Sequence, residues 1–207
     1  MAPPPLPFAH LNLTRNPFGE LDDRDLLAIA QVDPSRWIEH LREPSGVVLL
    51  LGEKGRGKTT SLKVLAAAID AAYVHLDEER PRMPPLERST VIDEAQRLGG
   101  WFRRRLWKDR RIRAIGSHHD HAAELRRSGR TVLVETLPLS WNATNLIRLV
   151  DERIDRFRRS EGPVPTLPPE TAERLLREFG SDIRRLLGRL YDVVQRMSEV
   201  GPLANRL

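Results

Sequence analysis

The octapeptide Gly52-Glu53-Lys54-Gly55-Arg56-Gly57-Lys58-Thr59 has the spacing G-x-x-x-x-G-K-[ST], which suits the holding of a polyphosphate. Glycines at 52, 55 and 57 permit backbone angles that turn successive N–H groups inward as a nest for an anion. A helix starting near Lys58 aims its positive end at the same point. The Lys58 ammonium suits β- and γ-phosphates, and the Thr59 hydroxyl, followed by Thr60, suits Mg²⁺. Only four of the 34 basic residues are lysines (Lys54, Lys58, Lys63 and Lys108), and one falls where a compact ammonium is wanted. Lys54 and Arg56 have no assigned target; they add positive potential or face a partner.

A second group of acids lies 35 residues beyond Lys58, in "TVIDEAQRL". Asp93 is placed to hold Mg²⁺ through water, and Glu94, one residue on, to orient or deprotonate an attacking water. By itself "DEAQ" also reads as the acidic first turn of a helix. Paired with an upstream phosphate loop, it reads as the second half of a nucleotide site. "SHHDH" supplies His118, His119, Asp120 and His121, but adjacent histidines converge poorly on a metal. Polar lining beside a γ-phosphate, or a helix cap by Asp120, suits them better. In "WFRRRLWKDRRIR" aromatics interleave with arginines, a pattern that serves nucleic-acid stacking and phosphate contacts. The plainer reading is a core-facing aromatic stripe on a helix whose basic face is solvated.

These residues need a scaffold, and the pattern of apolar runs predicts one. Strands are expected at Val47–Leu51, Ala72–Leu76, up to Asp93 in "STVID", up to Ser117 in "IRAIGS", and from Thr131 in "TVLVETL". Helices are expected from Asp22 or Asp23 to Ala30, after Asp33-Pro34, and over Lys58–Ile69, Ala95–Trp107 and Asp120–Arg127. Short apolar runs buried on both faces belong to a parallel sheet. The fold class is therefore α/β, a three-layer P-loop NTPase core with a parallel sheet of about five strands. After Ser140, three amphipathic helical patterns suggest a small all-α lid. The expected division is a mobile proline-rich arm over 1–15, a nucleotide-binding α/β domain over 16–140 and a helical lid over 141–207.

A phosphate loop, a strand ending in Asp-Glu, a polar residue ending the next strand, and "LPLS" before a helical lobe resemble an AAA+ ATPase. "NPFG" near the start and "IDEAQRL" are similar to compact bacterial ATPases of the secretion and transposition-helper kind (ExeA-like, TniB-like). The resemblance covers roughly residues 16–198 and implies ATP and Mg²⁺ as ligands, with hydrolysis that remodels a protein or DNA partner. It further implies a sensor-1 role for Ser117, a sensor-2 role for Arg184 with Arg185 as fallback, and an adenine-covering role for Phe18 with Gly19. Arg126, Arg127 or Arg130 lies where such proteins keep a finger acting on a neighbour's nucleotide, which implies nucleotide-dependent self-assembly. The chain departs from the family in "DEERPRMPPLER", where prolines preclude the usual helix, so a loop makes the crossover or the second strand is a short edge. The small lid and this shortening remove regions that ring-forming relatives use, and no pore loop is legible.

Net charge is +5, with pI near 10.2, compatible with a nucleic-acid partner and equally with an arginine-biased composition. The absence of cysteine excludes disulfides and zinc thiolates. The start lacks the features of a signal peptide, and no apolar run spans a bilayer, so a cytoplasmic location is expected. Two other classes compete. A nucleoside-type kinase can carry a phosphate loop and Asp-Glu-Ala-Gln, but usually with zinc cysteines and without a helical lobe. A nucleotide-dependent switch or scaffold with little turnover is the other, and Glu94 argues against it. No base-reading N-K-x-D of a GTPase is present, nor the Ser-Gly-Gly signature of an ABC ATPase.

Overall fold

A computed structural model describes residues 6–79, 85–137, 141–180 and 182–203. In chain order the elements are α1 (Asp23–Ile29), α2 (Ser35–Leu41), β1 (Gly46–Leu51), α3 (Lys58–Ala68), β2 (Ala72–His75), β3 (Thr90–Asp93) and α4 (Gly100–Leu106). There follow β4 (Ile112–Ser117), α5 (Ala122–Arg127), β5 (Thr131–Thr136), α6 (Ala143–Arg156), α7 (Pro169–Phe179) and α8 (Ile183–Arg196). They divide into two compact units, one over 30–138 and one formed by 1–29 with 139–207.

The first unit is built on a five-stranded parallel sheet of order β2-β3-β4-β1-β5. Side chains alternate across its pleat. Val47 and Leu49 of β1 join Ile92 and Ile115 on one face, packed with Leu106, Trp107, Ala122 and Leu125 from the α4 and α5 region. Val48 and Leu50 join Val91 and Ala114 on the other, against Leu62 and Leu65 of α3 and Trp37 and Leu41 of α2. This is the expected three-layer core. The interior strand β1 is apolar along its whole length because helices cover both faces, whereas the edge strand β5 is only half-buried. β2 is a four-residue edge, consistent with the proline-rich stretch that follows it; residues 80–84 of that stretch lie outside the described ones.

At the amino end of the sheet Arg130 is buried and spends all five guanidinium N–H groups on carbonyls. Nε donates to Ser45, Nη1 to Trp107 and Asp109, and Nη2 to Gly46 and Ile112, over 2.5–3.2 Å. Burial pulls its pKa down to about 10, with repulsion from Arg110 and Arg113 adding to the effect.

The continuous helix expected over 95–107 is broken. A short 3-10 turn covers Ala95–Arg97, and α4 starts afresh at Gly100. Two adjacent glycines lower helix propensity where the chain changes direction. Asp22 caps α1 by accepting from the Asp25 N–H at 2.7 Å, and Asp33 accepts from both the N–H and the hydroxyl of Ser35.

The second unit departs from the expected division on its N-terminal side. Residues 1–5 lie outside the described ones, but Leu11 and Leu13, inside the segment read as an arm, are fully buried. With Phe18 they enter a core made by Leu146, Val150 and Ile154 of α6, Leu175 of α7 and Leu186 and Leu190 of α8. Three apolar side chains outweigh the prolines that precede them. Polar contacts reinforce this packing. Asp25 takes Arg15 on one oxygen at 2.9 Å and Arg156 on the other at 2.8 Å, and Arg153 donates to the Pro17 carbonyl. Residues 138–140, 181 and 204–207, which include most of "LPLS" and the serine of "GSDIRRLL", lie outside the described residues.

Candidate nucleotide site

β4 is inserted between β1 and β3, and the parallel order brings their carboxyl ends to one side. Leu51 is level with Ser117, and Ile92 with Ile115. Three chain segments thus leave the sheet side by side: the loop from Gly52, the acids from Asp93, and the turn from Ser117. Open parallel sheets bind ligands at such ends.

Within the loop, Gly55 and Gly57 both have φ of 85°, a left-handed conformation that side chains resist. Gly57 forms the entry to α3, and a Cβ there would meet nothing within 4 Å. Lys58 is buried; its Nζ donates to the Gly52 carbonyl at 2.7 Å and the Glu53 carbonyl at 2.9 Å, which fixes the ammonium over the loop. Burial lowers its pKa, while Glu94 and Asp93 act in the opposite direction. Arg56 bonds Glu53 at 2.9 Å through Nη2, but its Nε and Nη1 are buried without a partner among the described residues. Unsatisfied buried cationic donors beside an open glycine turn fit a polyanion. Lys54 is exposed, and Thr60 follows Thr59 in the first turn of α3.

The acids join this loop directly. Asp93 is fully buried, and its Oδ2 accepts from Thr59 Oγ1 at 2.7 Å and from the Tyr73 hydroxyl at 2.9 Å. Its Oδ1 accepts from the Glu94 N–H at 2.9 Å, and His75 Nδ1 stands 3.6 Å from Oδ2. A hydroxyl against a carboxylate is the hard-oxygen donor pair that Mg²⁺ prefers. Glu94 adopts φ of 62°, rare for a residue with a side chain and costing about 1–3 kcal/mol. Its carboxylate is held by Gln96 Nε2 at 2.6 Å, with Arg97 at 3.4 Å and His118 at 3.6 Å.

Ser117 is fully buried at the end of β4, its Oγ accepting the His119 N–H at 2.9 Å. Asp120 accepts the Ala122 N–H at 2.7 Å, in the turn that leads into α5, whose N-cap position is held by His121. His121 is buried beside Trp107, and desolvation lowers its pKa; no metal cluster occurs among the described residues. Arg130, with all its donors on main-chain carbonyls, cannot reach a neighbouring molecule, which corrects its candidacy as a finger. Arg126 and Arg127 are exposed. Arg184, in the first turn of α8, is exposed with no ion pair among the described residues, while Arg185 stacks 5.7 Å from the Phe179 ring centroid. Phe18 is 6% exposed, so its ring has little surface to offer a base.

Sequence reasoning overlooks three participants. A Cβ at Gly116 would stand 2.8 Å from Asp93 Oδ1 and 2.6 Å from Leu62 Cδ1, so glycine is required where α3 and the acid close on β4. A glycine inside a strand pattern is a signal of such approach. Tyr73 has no comparable signature, because its role arises from the pairing of β2 with β3, and Gln96 shows no sign in "DEAQ" of holding Glu94; His118, read as polar lining, meets Glu94. The aromatic stripe is also corrected: Leu106 and Trp107 are buried, but Trp101 is 69% and Phe102 41% exposed.

Fold and site together define a P-loop NTPase-like α/β protein with a helical C-terminal segment. The Thermotoga maritima RuvB Holliday junction branch migration motor has the same fold, with TM-score 0.56 and 17% identity over 83% of this chain. A substituted form of Thermotoga maritima RuvB matches with TM-score 0.57 and 18% identity over 84%. This chain spans 66% of the length of either structure, and the likeness is one of fold. Neither a protein-family profile nor a curated protein sequence matches the chain. No helix among the described residues is long and apolar enough to cross a membrane.

Proposed function

We propose that this protein is a Mg²⁺-dependent ATPase whose cycle acts on a protein or DNA partner, in the manner of the secretion and transposition-helper ATPases it resembles in sequence. The 2.7 Å bond between Thr59 and Asp93 carries the reading, because it joins the phosphate loop to the strand-end acid as a metal-bound triphosphate requires. Lys58 and the loop N–H groups hold the phosphates, with Arg56 adding two donors. Thr59 and Asp93 are the residues that would hold Mg²⁺, whose chemistry is to neutralise charge on β- and γ-oxygens. Glu94 positions water and takes its proton. Ser117, between loop and acids, serves as a sensor, and the sequence resemblance gives Arg184 the sensor-2 role. The same resemblance assigns Phe18 to the adenine, and Arg126 or Arg127 is the finger available to a second copy. The likeness to a DNA motor in fold makes DNA the first partner to test.

The decisive experiment is titration calorimetry with MgATP. Wild type should bind, and Lys58→Ala should weaken binding at least about tenfold, the loss of one charge-assisted contact. Equal affinities would remove the phosphate loop from its role.

A further inference from the structure

The outward face of α4 has no task in the fold. Trp101, Arg104 and Arg105 follow i, i+3, i+4 spacing, Lys108 lies in the turn after the helix, and all four are exposed, with Phe102 beside them. The inward face is tied down: Leu106 and Trp107 are buried, and Arg103 donates to the Leu98 carbonyl at 2.7 Å and pairs with Glu124 at 3.2 Å. The helix therefore presents its outer residues on a fixed support. Arg104, Arg105 and Lys108 form no ion pair among the described residues. The nearby acids are engaged elsewhere, Asp109 by Arg111 at 2.7 Å and Glu124 by Arg103 and the Trp107 Nε1–H.

We infer that this face of α4 binds single-stranded nucleic acid, Trp101 and Phe102 stacking on bases while Arg104, Arg105 and Lys108 contact phosphates. An indole left two-thirds in water gains from an unstacked base, whose faces a duplex keeps covered. Two uncompensated cations on the helix and a third just beyond its end fit a polyanion and not a general apolar partner. The inference names a partner class that the proposed function leaves open, and it rests on α4 alone, so loss of ATP binding would leave it standing.

The test is fluorescence anisotropy of the full chain, without nucleotide, against a labelled oligo(dT) strand and a duplex of equal length at low salt. The strand should bind more tightly. Trp101→Ala should weaken it roughly 5- to 100-fold, and Trp101→Phe should retain most of the affinity. Replacing Arg104, Arg105 and Lys108 by Ala should flatten the log–log salt slope by about 2. Lys58→Ala should bind the strand like wild type, which separates this surface from the phosphate loop. Strand binding indifferent to Trp101, or equal for duplex and strand, overturns the proposal. So does Trp101-dependent self-association in sedimentation, or equal binding to polyglutamate, since either gives the face a protein occupant.

Discussion

At Glu94 one residue meets two demands. Its backbone sits in a left-handed conformation, and both carboxylate oxygens are engaged, by Gln96 and Arg97 on one and His118 on the other. A general base loses its function, but little of its shape, when the carboxylate becomes an amide. Glu94→Gln should therefore keep MgATP affinity within a few-fold and lower turnover by about 10²- to 10⁴-fold in a phosphate-release assay. Unchanged turnover would show that another group handles the water. Lys58, Thr59, Asp93 and Glu94 are legible in the sequence because their spacing is local to two motifs. The partners of the acids are not. Tyr73 reaches Asp93 because β2 and β3 run side by side, a relation that no single stretch of sequence contains.

Elements meet most tightly where α3, β3 and β4 converge. Gly116 lies under Leu62 and beside Asp93, with no room for a methyl group. Gly116→Ala should lower stability by about 1–3 kcal/mol, the ordinary cost of overpacking. For a chain of this size that is a fall in Tm of roughly 2–12 °C. It should also weaken Mg²⁺-dependent nucleotide binding, because the displaced atom is the Asp93 carboxylate; calorimetry with and without Mg²⁺ reads this effect separately from melting. All five strands can be read from apolar runs: burial on both faces marks β1, β3 and β4, and the half-buried edges β2 and β5 still carry β-branched and apolar residues. α4 can be read only in part. Periodicity runs through Gly99 and Gly100, where the chain in fact breaks, and reading the aromatics as one inward stripe groups Trp101 and Phe102 with Trp107, although at about 100° per residue the three point in different directions. The period locates a face but does not say which residues on a short helix find a neighbour.

Over the whole molecule, the N-terminal residues are where composition misleads most. Prolines near the start suggest an arm, yet Leu11, Leu13 and Phe18 belong to the core of the helical unit. Leu11→Ala should cost about 2–5 kcal/mol and lower the melting temperature seen by circular dichroism. A neutral effect would mean that this segment contributes nothing to its unit. The carboxyl end of the sheet gathers Lys58, Asp93, Glu94, His75 and His118, groups whose charge or pairing answers to ligands. The amino end is gathered on Arg130, whose five donors are all spent and whose pKa, though drawn down to about 10, keeps it charged in any cell. The sheet is therefore electrostatically addressable at one end and mute at the other, and signals that enter through charge have a fixed footing against which to act.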